Sequence, residues 1–166
     1  MNKKITYYGL FVALAFIFSY IESLIPINLG VPGVKIGLSN LVVMVALYLT
    51  GPASAFAISV IRILLTGFTF SNTAAMIYSL AGGILSLLIM IIAKKTKLFS
   101  TLGVSVLGGV FHNIGQIIVA IIVLETTKLI YYLPLLLISG IVAGIFIGIL
   151  AAQIIKRLPL DKIKQS

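Results

Sequence analysis

The chain has no cysteine and only three acidic residues, and these two shortages exclude several classes of function. Without cysteine there is neither a disulfide framework nor a thiolate metal site. The acidic residues are Glu22, Glu125 and Asp161, so no paired carboxylates are available for acid–base catalysis. A single histidine, His112, adds little to the set of metal ligands. We therefore expect no catalytic residues and no metal site.

What the chain has in abundance is apolar surface. Hydrophobic residues make up 61% of it and charged residues 9%, and the mean hydropathy is +1.26. This composition is typical of polytopic membrane proteins, so a lipid bilayer is the expected environment. A net charge of +9 would suggest nucleic-acid binding in a soluble protein. Here the positive residues lie at the ends of apolar segments, which indicates control of topology instead.

The sequence predicts an all-α fold with six transmembrane helices in a single integral membrane domain covering residues 1–166. Pro26 ends the first helix, Gly51-Pro52 separates the second from the third, and Asn72 lies in a polar segment suited to cap the fourth. The second helix is short for a crossing, which takes about 20 residues. The predicted helices span about 5–25, 36–50, 52–70, 73–93, 100–124 and 129–155.

Lysine and arginine predict the orientation. If the chain crosses six times, nine basic residues fall on one side and only Lys35 and Lys128 on the other. The positive-inside rule then places both termini in the cytoplasm. The nine residues are Lys3, Lys4, Lys94, Lys95, Lys97, Lys156, Arg157, Lys162 and Lys164.

Small residues recur at intervals of four in the sixth predicted helix, at Gly140, Gly144, Gly148 and Ala152. Such a stripe lets another helix approach closely, either within this bundle or on a partner protein. Gly9 and Ala13 form a second pair with the same spacing in the first helix.

Polar residues concentrate in the half of the membrane opposite the cytoplasm once the topology is assigned. Charged side chains in hydrocarbon cost at least about 2.5–3.5 kcal/mol and usually face a bundle interior or a water-filled cavity. We therefore predict an outward-facing polar cavity that binds a small-molecule ligand. Its predicted lining is Glu22, Lys35, Asn40, Arg62, Asn72, Tyr78, His112, Asn113 and Gln116.

Structural alternatives remain open for several of these residues. Glu22 and Arg62 have the opposite charges needed to pair with each other, or they face a ligand. His112 either makes a structural hydrogen bond or contacts the ligand. Lys35 follows a segment rich in proline and glycine, and it either meets an anionic group of the ligand or is solvated.

Four stretches of the sequence resemble the Gx transporter family, which is often described as heptaprenyl diphosphate synthase component I. The stretches are Tyr20-Ile21-Glu22, Pro32-Gly33-Val34-Lys35-Ile36-Gly37-Leu38-Ser39-Asn40, Tyr78-Ser79-Leu80-Ala81-Gly82-Gly83 and His112-Asn113-Ile114-Gly115-Gln116. The wider architecture is similar to the substrate-binding S component of energy-coupling factor (ECF) transporters in the bacterial cytoplasmic membrane. That resemblance implies a six-helix bundle with a ligand site near the outer surface. It also implies docking on an ECF coupling protein driven by ATPases, for which Gly9 and Ala13 are the nearest match to the docking residues.

The resemblance also implies two alternative functions. Members of the family resemble membrane subunits of flavin-based extracellular electron transfer, which implies quinone or flavin as a cofactor. A substrate-binding protein of the transport type, by contrast, requires no intrinsic cofactor. The family description implies a component of a prenyl synthase. Prenyl chain elongation needs Mg²⁺ held by aspartate-rich motifs. With Asp161 as its one aspartate, this chain is expected to be a non-catalytic component in that case.

Overall fold

A computed structural model describes residues 3–25 and 37–158 of the chain, and these residues form a helical bundle. Five of the α-helices are long and apolar enough to cross a membrane, while the second is shorter. This confirms the predicted all-α polytopic membrane protein. The helices are α1 (Lys3–Leu24), α2 (Leu38–Leu49), α3 (Pro52–Thr69), α4 (Thr73–Thr96), α5 (Thr101–Leu124) and α6 (Leu133–Arg157).

The segment predicted as one helix over 129–155 is divided in the structure. Residues Thr127–Tyr132 form a 3₁₀ helix, and α6 begins only at Leu133. Pro134 explains where α6 begins, because proline lacks an N–H and suits the first turn of an α-helix. The exposed Ile130 and Tyr131 of the 3₁₀ helix lie at the same end of the bundle as the last turn of α5.

Helix α2 forms the centre of the bundle. Its 12 residues extend about 18 Å, which is shorter than the ~30 Å hydrocarbon core of a bilayer. Every residue from Leu41 to Leu47 is buried, and the helix packs against α1, α3 and α6. A helix that is apolar all round is stable only when neighbouring elements surround it, and here they do. The other helices expose large apolar side chains, as expected for surfaces that face lipid.

The small-residue stripe of α6 packs within the bundle. A side chain on Gly144 would meet the Val106 backbone at 2.6 Å, and one on Gly148 would meet Leu102 at 2.9 Å. Gly140 likewise faces the backbone of Gly109. The stripe therefore allows α5 and α6 to approach closely, which agrees with the intramolecular alternative. On α1, by contrast, a side chain at Gly9 would meet no atom within 4 Å.

Candidate functional site

A polar cavity of about 140 Å³ lies in the half of the bundle where α1 and α3 end and α2 and α4 begin. All six α-helices contribute residues to its lining, which is rich in hydroxyl groups. We call it the polar cavity. Its polar side chains are Ser19, Glu22, Ser23, Ser39, Asn40, Arg62, Thr66, Ser71, Ser79, His112, Asn113 and Ser139.

Arg62 places a positive charge in this lining that is costly to bury, because only 8% of the residue is exposed. It lies in the C-terminal half of α3 and donates to the Ser39 hydroxyl at 2.5 Å and to the Asn40 side-chain carbonyl at 3.3 Å, both on α2. A longer bond of 3.5 Å reaches the Ser19 hydroxyl on α1. These three bonds end on neutral acceptors and link α3 to α1 and α2. The Nε atom has no hydrogen-bond partner among the described residues.

Glu22, near the end of α1, is equally buried but has a different partner. Its carboxylate accepts a hydrogen bond from the backbone N–H of Gly37, the residue before the first turn of α2. Gly37 has φ of +83°, a left-handed conformation that glycine adopts without the cost of a side chain. A carboxylate at this position is favourable because the N-terminus of a helix carries partial positive charge.

The sequence left open whether Glu22 and Arg62 pair with each other or face a ligand, and the structure shows no direct contact between them. Among the described residues, Arg62 and Glu22 form no direct ion pair, and both instead bond to the beginning of α2. Each side chain is also part of the cavity lining. The described lining of the polar cavity thus includes one cation and one anion that do not satisfy each other through direct contact.

Asn113 lines the cavity while holding two helices together. Its side-chain nitrogen donates to the Leu136 carbonyl at 2.6 Å and to the Ser139 hydroxyl at 3.3 Å, both in α6. The Ser139 hydroxyl in turn donates to the same Leu136 carbonyl at 2.9 Å. Asn113 is buried, and these bonds satisfy its donors, so it has a structural role at the wall of the cavity.

Of the nine residues predicted for the site, five line the polar cavity: Glu22, Asn40, Arg62, His112 and Asn113. Lys35 lies outside the described residues. Asn72, Tyr78 and Gln116 are not in the described lining. Asn72 is exposed and caps α4 by accepting from the Ala75 N–H at 2.8 Å. Gln116 packs against α4 at Gly82. A Cβ atom at Gly82 would lie only 2.7 Å from the Cγ atom of Gln116.

The hydroxyl residues of the lining are absent from the residues predicted for the site. Ser19 precedes Glu22 by three positions, and Thr66 follows Arg62 by four, so each shares a helix face with a charged residue. That spacing is the signal that identifies them. Ser139 precedes Gly140 of the small-residue stripe, and its hydroxyl is used by Asn113.

Comparison with known proteins gives one result. A family model described as heptaprenyl diphosphate synthase component I matches residues 11–154, which is most of the chain. No curated protein and no solved structure matches the chain. The chain therefore belongs to the heptaprenyl diphosphate synthase component I family, as a membrane component built from a helical bundle.

Proposed function

We propose that this protein binds a small water-soluble molecule in the polar cavity and acts as a substrate-binding component of the transport type, similar to an ECF S component. In this proposal both termini face the cytoplasm of a bacterial cell, the cavity opens outward, and the protein itself catalyses no reaction. The observation that supports it most is the buried Arg62 at the wall of a polar cavity.

The energetics of Arg62 favour a ligand over a purely structural role. A charge inside a membrane-spanning helix costs at least about 2.5–3.5 kcal/mol, and such residues mark substrate or ion pathways by default. The bonds to Ser39, Asn40 and Ser19 link three helices, but a neutral donor such as glutamine would supply such links at lower cost. The presence of a guanidinium at this position therefore favours a role for its positive charge in binding a ligand.

The size of the cavity supports a small ligand. Its volume of about 140 Å³ lies below the ~300–1,000 Å³ of sites that enclose drug-sized molecules. Many polar groups converge in this space, and they suit a molecule with several hydrogen-bonding atoms. Gly9 and Ala13 on α1 are both exposed, so they are available to a coupling protein under this proposal.

A metabolite screen tests the proposal. Purified protein is heated with small water-soluble metabolites, and a ligand is recognised by a raised unfolding temperature, because binding to the folded state alone stabilises it. The stabilisation should disappear in Arg62→Gln, weaken in Arg62→Lys and persist in the matched surface control Arg157→Gln. Stabilisation that is equal in all four proteins would contradict the assignment of the cavity.

The family description favours a second candidate, a non-catalytic component of a heptaprenyl diphosphate synthase. Under this alternative the protein binds a catalytic prenyltransferase and influences the length of its product. Co-purification with such an enzyme, together with a changed product length when this protein is removed, would support it. Absence of both effects would exclude it.

A further inference from the structure

Two hydrogen-bond donors on one face of α3 have no partner among the described residues. They are Nε of Arg62 and the Oγ1 hydroxyl of Thr66, and both atoms are buried. The residues are four positions apart, so they lie on the same face of the helix, one turn from each other. Both belong to the lining of the polar cavity. A buried donor without an acceptor costs about 1–3 kcal/mol, so each is an unusual feature of a folded protein.

The hydroxyl of Thr66 differs from those of Thr69, in the same helix, and of Thr50, the residue that follows α2. Thr50 donates to the Ala46 carbonyl at 2.8 Å, and Thr69 donates to the Leu65 carbonyl at 2.7 Å. These are the usual bonds of a threonine to the carbonyl four residues earlier. Thr66 makes no such bond to the Arg62 carbonyl among the described contacts, so its hydroxyl remains available to another acceptor.

The electrostatics of the same region favour an anionic acceptor. The N-terminal turn of α2 lines the cavity through Gly37, Ser39 and Asn40, and a helix N-terminus attracts anions. Arg62 adds a full positive charge beside that turn. The Glu22 carboxylate is bonded to the Gly37 N–H and makes no direct ion pair with Arg62 among the described residues, although its negative charge also acts on the guanidinium through space.

We propose that Arg62 and Thr66 form the subsite that binds an oxyanion, a carboxylate or a phosphate, of the ligand held in the polar cavity. This inference rests on the proposed function and specifies the chemical class of its ligand. The Nε–H and the Thr66 hydroxyl donate to the oxyanion, while Ser39 and Asn40 hold the other side of the guanidinium. Charge-assisted hydrogen bonds of this kind are about twice as strong as neutral ones.

The test compares charged and neutral probes of nearly equal shape. Unfolding temperatures of the purified protein are measured at constant ionic strength with acetate, acetamide and inorganic phosphate. Acetate or phosphate should stabilise the wild type, and acetamide should not. A response to acetate alone identifies a carboxylate as the natural group, and a response to phosphate alone identifies a phosphate.

Two threonine variants locate the effect. Thr66→Val removes the hydroxyl and keeps the shape, and it should weaken oxyanion binding about tenfold while the protein remains folded. Thr69→Val is the matched control, because Thr69 is on the same helix but outside the described cavity lining, and it should bind as the wild type does. Equal affinity in the two variants, equal stabilisation by acetate and acetamide, or no response to either oxyanion would overturn the inference. If the metabolite screen then finds a neutral compound that stabilises the wild type but not Arg62→Gln, the proposed function stands although the oxyanion subsite does not.

Discussion

Glu22 and Lys94 bond to opposite ends of helix α2. The Glu22 carboxylate accepts from the Gly37 N–H at the N-terminus, and the Lys94 Nζ atom donates to the Leu47 carbonyl at 2.6 Å near the C-terminus. Lys94 also lies 4.5 Å from the centre of the Tyr48 ring. A negative charge at the start of a helix and a positive charge at its end both interact favourably with the helix macrodipole. A short, buried helix is thus held at each end by a charged side chain from a neighbouring helix.

Replacing Lys94 by methionine should therefore destabilise the protein by about 1–2 kcal/mol, because the buried end of α2 loses a charged donor. The matched control is Lys95→Met, which changes the next residue of α4, an exposed one. Equilibrium unfolding in detergent measures both. Equal stability of the two variants would show that Lys94 does not support α2.

The close approach of α5 and α6 predicts opposite effects for two glycine-to-alanine variants. In Gly140→Ala the new Cβ would lie 2.8 Å from the Gly109 carbonyl oxygen, so the helices must separate, at a cost of about 1–3 kcal/mol. In Gly9→Ala the new methyl meets open space, and the higher helix propensity of alanine stabilises by up to about 1 kcal/mol. Thermal unfolding of both proteins tests the difference. A destabilised Gly9→Ala variant beside an unaffected Gly140→Ala variant would contradict the packing.

Asn72 was predicted to line the cavity, and its observed contact predicts a different phenotype. Asn72→Ala should cost about 1 kcal/mol of stability through loss of the α4 cap, whereas Asn72→Asp should restore most of it. Ligand-induced stabilisation should be the same in both variants as in the wild type. A loss of ligand response in Asn72→Ala at unchanged stability would instead assign Asn72 to the site.

The proposed orientation is tested with single cysteines, which the natural sequence allows because it contains none. Ser71 lies between α3 and α4 at the cavity, and Leu98 lies beyond the other end of α4, where it is 82% exposed. In intact cells a membrane-impermeant maleimide should label Ser71→Cys but not Leu98→Cys, which should react only after lysis. The reverse pattern would place the cavity on the cytoplasmic side.

The number and approximate position of the helices could be predicted from the sequence, because long apolar segments bounded by Gly51-Pro52 and Asn72 leave little choice. The start of α6 could not be placed, since residues 129–132 are apolar enough to continue either as an α-helix or as a 3₁₀ helix. Composition also gave no indication that α2 occupies the centre of the bundle, because all the helices are strongly apolar.

Two charged residues of the cavity lining could be predicted from the sequence, whereas the orientation of the helices around the cavity could not. Arg62 and Glu22 stand out in an apolar sequence, and both line the cavity. Which face of α5 turns toward the cavity depends on packing, and Gln116 packs at Gly82 because the absence of a side chain there leaves room for it. The separation of Glu22 from Arg62 depends on the position of the α2 N-terminus, which no local pattern specifies.

The central claim, that the polar cavity holds a ligand through Arg62, is tested most directly by identifying what the protein retains during purification. Small molecules are released by denaturation from the wild type, Arg62→Gln and Arg157→Gln, and quantified by mass spectrometry. We predict a compound present in near-equal amount to the wild type and to Arg157→Gln, and absent from Arg62→Gln although that variant remains folded. A compound retained equally by all three proteins, or no compound in any of them, would contradict the claim.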